Sequence, residues 1–202
     1  NKMKIIKNNC LLCEKKTDTK NVYPKNLPKN INEVDYSGRK IPDNFHYKMV
    51  RCIECGLLFA EEIYDKATVT KLYLDSDFDY VSELIGLEKT YSSLFKFINF
   101  NKIKKNNFLE IGCANGFLLK KAKEFGFANI YGSEISLKAI DSADSLVKQN
   151  ILQGPFNPDN YEKNFFDLIF FAMILEHFDN PSNFIRDVYK ILKPGGLLIG
   201  IT

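Results

Sequence analysis

From residue 106 the chain alternates short apolar runs with amphipathic stretches. The runs at 107–111, 129–134, 150–153, 165–171 and 197–202 read as strands, and 116–125, 136–148 and 181–193 read as helices. Asn180-Pro181 with Ser182 gives a start signal for the last helix, and Lys193-Pro194-Gly195-Gly196 stops it. Alternating strand and helix predicts an α/β fold with a Rossmann-like, doubly wound, mostly parallel sheet. Upstream, Ile63, Ala67, Leu72 and Leu74 mark one segment of helical period, and Leu84, Leu87, Tyr91, Leu94, Phe95 and Ile98 mark a longer one. The pattern divides the chain into a module over 1–60, a helical segment over 61–104 and an α/β core over 105–202.

Within the core, the run Phe108-Leu-Glu-Ile-Gly-Cys-Ala-Asn-Gly-Phe117 takes a strand ending near Glu110 into a helix through a turn of small residues, Gly112, Ala114 and Gly116. Such a turn lets a ligand touch bare backbone where the first helical N–H groups are unpaired. A dinucleotide site would need Gly-x-Gly-x-x-Gly, and here its second and third glycines are Ala114 and Phe117. The spacing Glu110-x-Gly112-x-Ala114-x-Gly116 instead resembles the first motif of class I methyltransferases that use S-adenosylmethionine. The resemblance continues in order. Asn129-Ile-Tyr-Gly-Ser-Glu134 reads as the second strand, ending in a carboxylate 24 positions after Glu110. Phe165 to His177 resembles the fourth strand and the loop beside the transfer site, and Leu192 to Ile201 resembles the "LKPGG" turn and fifth strand.

This resemblance implies roles. Glu110, Gly112, Ala114 and Gly116 would meet the methionine end of the cofactor, and Glu134 with Ile135 would meet ribose and adenine, the carboxylate accepting from both ribose hydroxyls. Phe171 falls among the cofactor-binding positions. Ala114 replaces the commoner glycine, which is tolerable if its backbone is not left-handed. Many relatives carry an acid after the third strand; this chain has Gln153-Gly-Pro-Phe156, leaving Phe156 to sandwich adenine or to join the core. Glu176-His177 is the candidate catalytic pair, with His177 a general base or a structural cap of its loop. Ubiquinone-type O-methyltransferases have Glu-x-x-Glu-His there, and Met173 in the first position removes the expectation of a divalent ion. In methyltransferases of this type the helices before the core lie across the cofactor mouth, so Tyr73, Tyr80 and Tyr91 would reach substrate or pack as core. The family's sheet normally continues through a further helix and a hairpin, so a core truncated after its fifth strand is expected.

Cys10-Leu-Leu-Cys13 and Cys52-Ile-Glu-Cys55-Gly56 are two Cys-x-x-Cys pairs with 38 residues between them. Two such knuckles suit a structural tetrahedral zinc ion, Gly56 supplying a tight turn. His46 then reads as a loop or substrate-contact residue. Nothing in the 202 residues resembles a signal peptide or a membrane span, and a cytoplasmic protein is expected, which disfavours disulfides. Residues 1–60 hold 12 Lys/Arg against 6 Asp/Glu, a net +6, while the rest holds 16 against 19, a net −3. A basic module hints at an anionic partner, a phosphate-bearing small molecule or RNA. No Asn-Pro-Pro-Tyr or Asp-Pro-Pro-Tyr follows the fourth strand, which disfavours methylation of a DNA base amino group. Three readings stay open: a methyltransferase of small molecules such as sugars, glycan precursors or natural-product intermediates; a zinc-module methyltransferase of ribosomal RNA; and a binding protein that keeps the fold without turnover.

Overall fold

A computed structural model describes residues 4–28, 45–65, 67–68, 81–95, 98, 103–178 and 180–202. The chain forms two compact units, Asn1–Tyr80 and Val81–Thr202, so it divides at residue 80 and not at 60 and 104. In the first unit, β1 (Ile5–Lys7) pairs antiparallel with β5 (Glu62–Tyr64). A second sheet joins β2 (Thr19–Tyr23), β3 (Met49–Cys52) and β4 (Leu58–Ala60) in order. Ile63 therefore lies in a strand, where its spacing predicts helix: three residues edge-pair with β1, and pairing overrides a weak local period. Leu72, Leu74, Tyr73 and Tyr80 lie outside the described residues.

The second unit opens with helix α1 (Val81–Leu94) and builds a five-stranded sheet from β6 (Asn107–Ile111), β7 (Asn129–Glu134), β8 (Ile151–Gln153), β9 (Phe166–Ala172) and β10 (Leu192–Ile201). The order is β10-β9-β6-β7-β8, and every pairing is parallel. Both faces are buried, and strand alternation assigns the residues. Phe108, Leu168 and Phe170 face α1, with Tyr91 and Phe95, and α2 (Phe117–Glu124), with Leu118, Leu119 and Ala122. Leu109, Ile111, Phe166, Ile169 and Phe171 face α5 (Pro181–Ile191), with Phe184, Val188 and Ile191. Tyr91 is a core residue. Its ring stacks on Phe117 and meets Phe170, with centroids 6.2 and 5.7 Å away.

The segment expected as one helix over 136–148 is two: α3 (Leu137–Asp141), capped by Ser136, and α4 (Ser145–Lys148), capped by Asp144. Asp144 accepts from the Leu146 N–H at 2.9 Å and from Lys120 Nζ of α2 at 2.7 Å, so its side chain starts a new helix and ties it to its neighbour. The Lys193-Pro-Gly-Gly stretch is not a stop between elements but a bulge within β10. Five residue steps from Leu192 to Leu197 oppose two from Phe166 to Leu168. The bulge brings Lys193 Nζ to 2.9 Å from both oxygens of Asp167, which is buried. Asp167 also accepts from the Asn107 N–H at 2.8 Å; the Asn107 side chain donates to the Phe165 carbonyl and accepts from Asn129. The amino-terminal edge of the sheet is thus pinned by one polar network. Asp167→Ala leaves Lys193 and the Asn107 N–H without their shared partner, and a loss of about 3 kcal/mol is expected in urea unfolding.

Candidate functional site

β6 has β7 on one side and β9 on the other, so the strand order reverses there, and beyond the carboxyl end of such a switch point is where open α/β sheets bind their ligands. The turn into α2 sits there. Ser133 of β7 accepts from the N–H groups of both Gly112 and Cys113, at 2.8 and 3.1 Å, and the Gly116 N–H closes on the Cys113 carbonyl at 2.8 Å. Three alternate residues are left-handed: Gly112 and Gly116 with φ of 72°, and Ala114 with φ of 47°. Gly112 has a second constraint, since a Cβ there would come within 2.7 Å of the Ile174 side chain, which lies against the turn from the loop after β9. Ile174 is a site-shaping residue that no sequence pattern marks. Ala114 occupies the conformation in which the methyl group is costly, and it does so while donating its N–H to Glu134 Oε2 at 2.9 Å.

Glu134 ends β7 with its carboxylate held from two sides, since Oε1 accepts from the Ser136 N–H at 2.8 Å. Each oxygen keeps a lone pair for a further donor. Ile135 beside it is 55% exposed, an apolar surface at the mouth. Glu110 lies deeper. It is buried, and its Oε2 has no hydrogen-bond partner among the described residues. Burial, with the Glu134 charge adding to it, holds its carboxyl well above the usual range. A buried carboxylate without a cation fits a ligand that brings one, and S-adenosylmethionine does so at its amino-acid end.

The other expected residues fall in different places. Phe171 is buried against Phe184 on the α5 face. Phe156 stacks on Tyr161 at 6.4 Å and meets Phe184 edge-on at 5.6 Å, so it is part of the same aromatic cluster. Glu176 and His177 are exposed on a single 3-10 turn, Leu175–His177, after β9, and Glu176 accepts from the Thr202 hydroxyl at 3.3 Å. Met173, at the start of that loop, is left-handed with φ of 52° and has an exposed side chain.

In the first unit the four cysteines converge. Their sulfurs lie within 4.8 Å of one another, with Cys10–Cys55 at 3.4 Å and Cys13–Cys52 at 3.9 Å. A tetrahedral ion with bonds of ~2.3 Å sets its sulfurs ~3.8 Å apart, whereas a disulfide needs ~2.05 Å, so the spacing fits a tetrahedral metal site and not a disulfide. The two knuckles are built alike. The Glu14 N–H returns to the Cys10 carbonyl at 2.9 Å and the Gly56 N–H to the Cys52 carbonyl at 3.0 Å, and both returning residues are left-handed. Thr17 lies 3.3 Å from Cys52 Sγ and, with the backbone N–H groups of Cys55 and Glu54, holds that thiol down to about 6, ready to ligate. His46 is not in the cluster. It bridges to Asn26 and meets the Tyr23 ring at 6.0 Å.

Residues 109–200 match the family model described as a methyltransferase domain. The sheet order of that segment is Rossmann-like, reversing at β6. Among curated proteins, the ubiquinone biosynthesis O-methyltransferase of Caulobacter vibrioides is 30% identical over 100 residues, 46% of this chain and 39% of that protein. The malonyl-acyl-carrier protein O-methyltransferase of Haemophilus ducreyi is 27% identical over 144 residues, 66% and 55% of the two chains. The chain thus spans about two fifths to a little over half the length of these relatives. A methyltransferase structure from Aquifex aeolicus has 20% identity and a TM-score of 0.44 over 68% of this chain and 72% of that one. No helix among the described residues is long and apolar enough to cross a membrane.

Ala114→Gly releases about 1–2 kcal/mol of left-handed strain and adds about 0.4–1 kcal/mol of unfolded-state entropy, so a net gain of about 0.5–1 kcal/mol is expected in thermal melts. One zinc ion per chain is expected by elemental analysis. Chelation should expose four titratable thiols and abolish the protease resistance of Asn1–Tyr80, a unit whose buried apolar cluster among the described residues is Cys10, Val50, Cys52 and Phe59.

Proposed function

We propose that this chain is an S-adenosylmethionine-dependent methyltransferase of a small molecule, with a structural zinc ion in its amino-terminal unit. The supporting observation is the turn beyond β6, where Glu134 accepts from the Ala114 N–H and the Oε2 of the buried Glu110 has no partner among the described residues. S-adenosylmethionine supplies an electrophilic methyl group on a sulfonium. Glu134 would take the ribose hydroxyls, Ile135 would cover adenine, and Gly112, Ala114 and Gly116 would let the methionine tail lie against backbone with its ammonium toward Glu110. The reaction is then positioning and exclusion of water, with one proton to remove from an oxygen or carbon acceptor. His177, exposed on the turn after β9, is suited to take that proton, with Glu176 beside it.

The curated relatives support a small-molecule acceptor, since two are named O-methyltransferases. A sugar, glycan precursor or natural-product intermediate fits within that class, and the net +6 of residues 1–60 suits a phosphate-bearing one. Methylation of ribosomal RNA is the second enzymatic reading and a fold retained only for binding the third; neither has an observation in its favour beyond charge.

Calorimetry with S-adenosylhomocysteine is expected to give saturable one-site binding, weakened about ten- to hundredfold by Glu134→Ala through loss of charge-assisted hydrogen bonds. An absence of saturable heat with the unaltered protein would remove the reading. RNA retention in a gel shift that falls steeply between two salt concentrations would move the acceptor to RNA. With an acceptor in hand, His177→Ala should lower kcat by about 10²–10⁴ with cofactor affinity unchanged.

A further inference from the structure

The β2-β3-β4 sheet of the first unit has one buried face and one exposed face. Val50, Cys52 and Phe59 lie on the buried side, with Cys10. On the other side Lys20, Arg51 and Leu58 are cross-strand neighbours in one row, and Tyr23, Met49 and Ala60 form the next. Tyr23 reaches that side through a β-bulge. Two residue steps from Asn21 to Tyr23 oppose one from Val50 to Met49, so the ring leaves the side of Asn21 and joins Met49 and Arg51. Tyr23 is 53% exposed and Leu58 37%. One residue past β3, Ile53 still donates its N–H to the Asp18 carbonyl at 3.1 Å and is 67% exposed.

Lys20 and Arg51 are like charges directly opposite one another, a pairing that costs stability. Among the described residues neither has a carboxylate partner, and Arg51 Nη1 donates to the Gly56 carbonyl at 3.0 Å. Other lysines of the unit are matched: Lys7 and Lys48 share Glu61, and Lys15 holds Glu54. The three strands put no carboxylate on the exposed face, and the ladder brings Asp18 in only at its end, beside Ile53. Independently of the cofactor site, we propose that this face docks the chain on an anionic lipid surface. Lys20 and Arg51 meet the headgroups, while Ile53, Leu58 and the Tyr23 ring enter the interfacial layer. Single-stranded nucleic acid is the poorer fit, because bases stack on successive aromatic rings and the three strands offer this face one.

The test is co-sedimentation of the full chain with vesicles of phosphatidylcholine, alone or with about 30% phosphatidylglycerol to make the surface negative. Binding is expected to the mixed vesicles, and it should fall as added salt screens the exposed charges. Lys20→Ala should weaken it about fivefold and Asp18→Asn should strengthen it about fivefold. Leu58→Ser should weaken it with the salt dependence unchanged. Metal content and S-adenosylhomocysteine affinity should be the same in every variant, and a gain from Asp18→Asn does not arise from damage to the fold. No binding to the mixed vesicles overturns the proposal, as does equal binding to both kinds of vesicle. Binding that neither Lys20→Ala nor Asp18→Asn alters places the lipid contact on another surface and also overturns it. Retention of a single-stranded uridine oligonucleotide that Lys20→Ala abolishes, without vesicle binding, assigns the face to nucleic acid instead. S-adenosylhomocysteine binding is read separately, so lipid docking can fail with the methyltransferase reading intact.

Discussion

The organising constraint is that β6 is buried on both faces yet must leave its carboxyl end open. A doubly wound parallel sheet covers each face with helices, here α1 and α2 on one side and α5 on the other, and the crossovers part beyond the strand from which they start. Along β6 the alternation Phe108, Leu109, Glu110, Ile111 follows the two faces, with one acidic residue where an apolar one would pack better. The cost of that residue is carried by the rest of the sheet. A buried carboxyl oxygen without a partner among the described residues is the kind of local conflict that marks a functional position.

The two ends of the sheet divide the work. At the amino-terminal edge every polar group of the Asn107, Asp167, Lys193 and Asn129 cluster has a partner, and the bulge at Lys193 exists to bring the last strand's cation to the fourth strand's acid. At the carboxyl edge the backbone is bent into left-handed turns at Gly112, Ala114, Gly116 and Met173, and acidic side chains are left available. Fully satisfied polar groups give stability; unsatisfied ones and strained turns cost stability and give recognition. The first unit solves a different problem. Among the described residues its buried apolar cluster is four side chains, two of them cysteines, and two equivalent knuckles offer a place for an ion beside it.

Much of this was legible in the amino-acid order because it is encoded over short distances. Period-two and helical spacing marked the five core strands to within a residue or two at most ends, the glycine turn lay between an apolar run and an amphipathic one, and Cys-x-x-Cys is a local geometry. The misreadings share a cause. Ile63 follows a helical period but pairs with Ile6 of β1, and the 136–148 segment has unbroken helical spacing but is cut by Asp144 reaching to α2. For Phe156 the sequence leaves crevice and core both open, and the side of the loop or strand on which it and Phe171 fall puts both against Phe184.

By itself the sequence determined the class of fold, the small-residue turn between β6 and α2, and the two cysteine pairs, since each depends on residues a few positions apart. Only tertiary structure decided that Ala114 is left-handed, that Ile174 meets Gly112, that Lys193 completes Asp167, and that Glu110 Oε2 has no partner among the described residues. Those facts are set by which groups from distant strands arrive at one point. The polar balance of a buried site is a sum over all of them, and no single segment contains it.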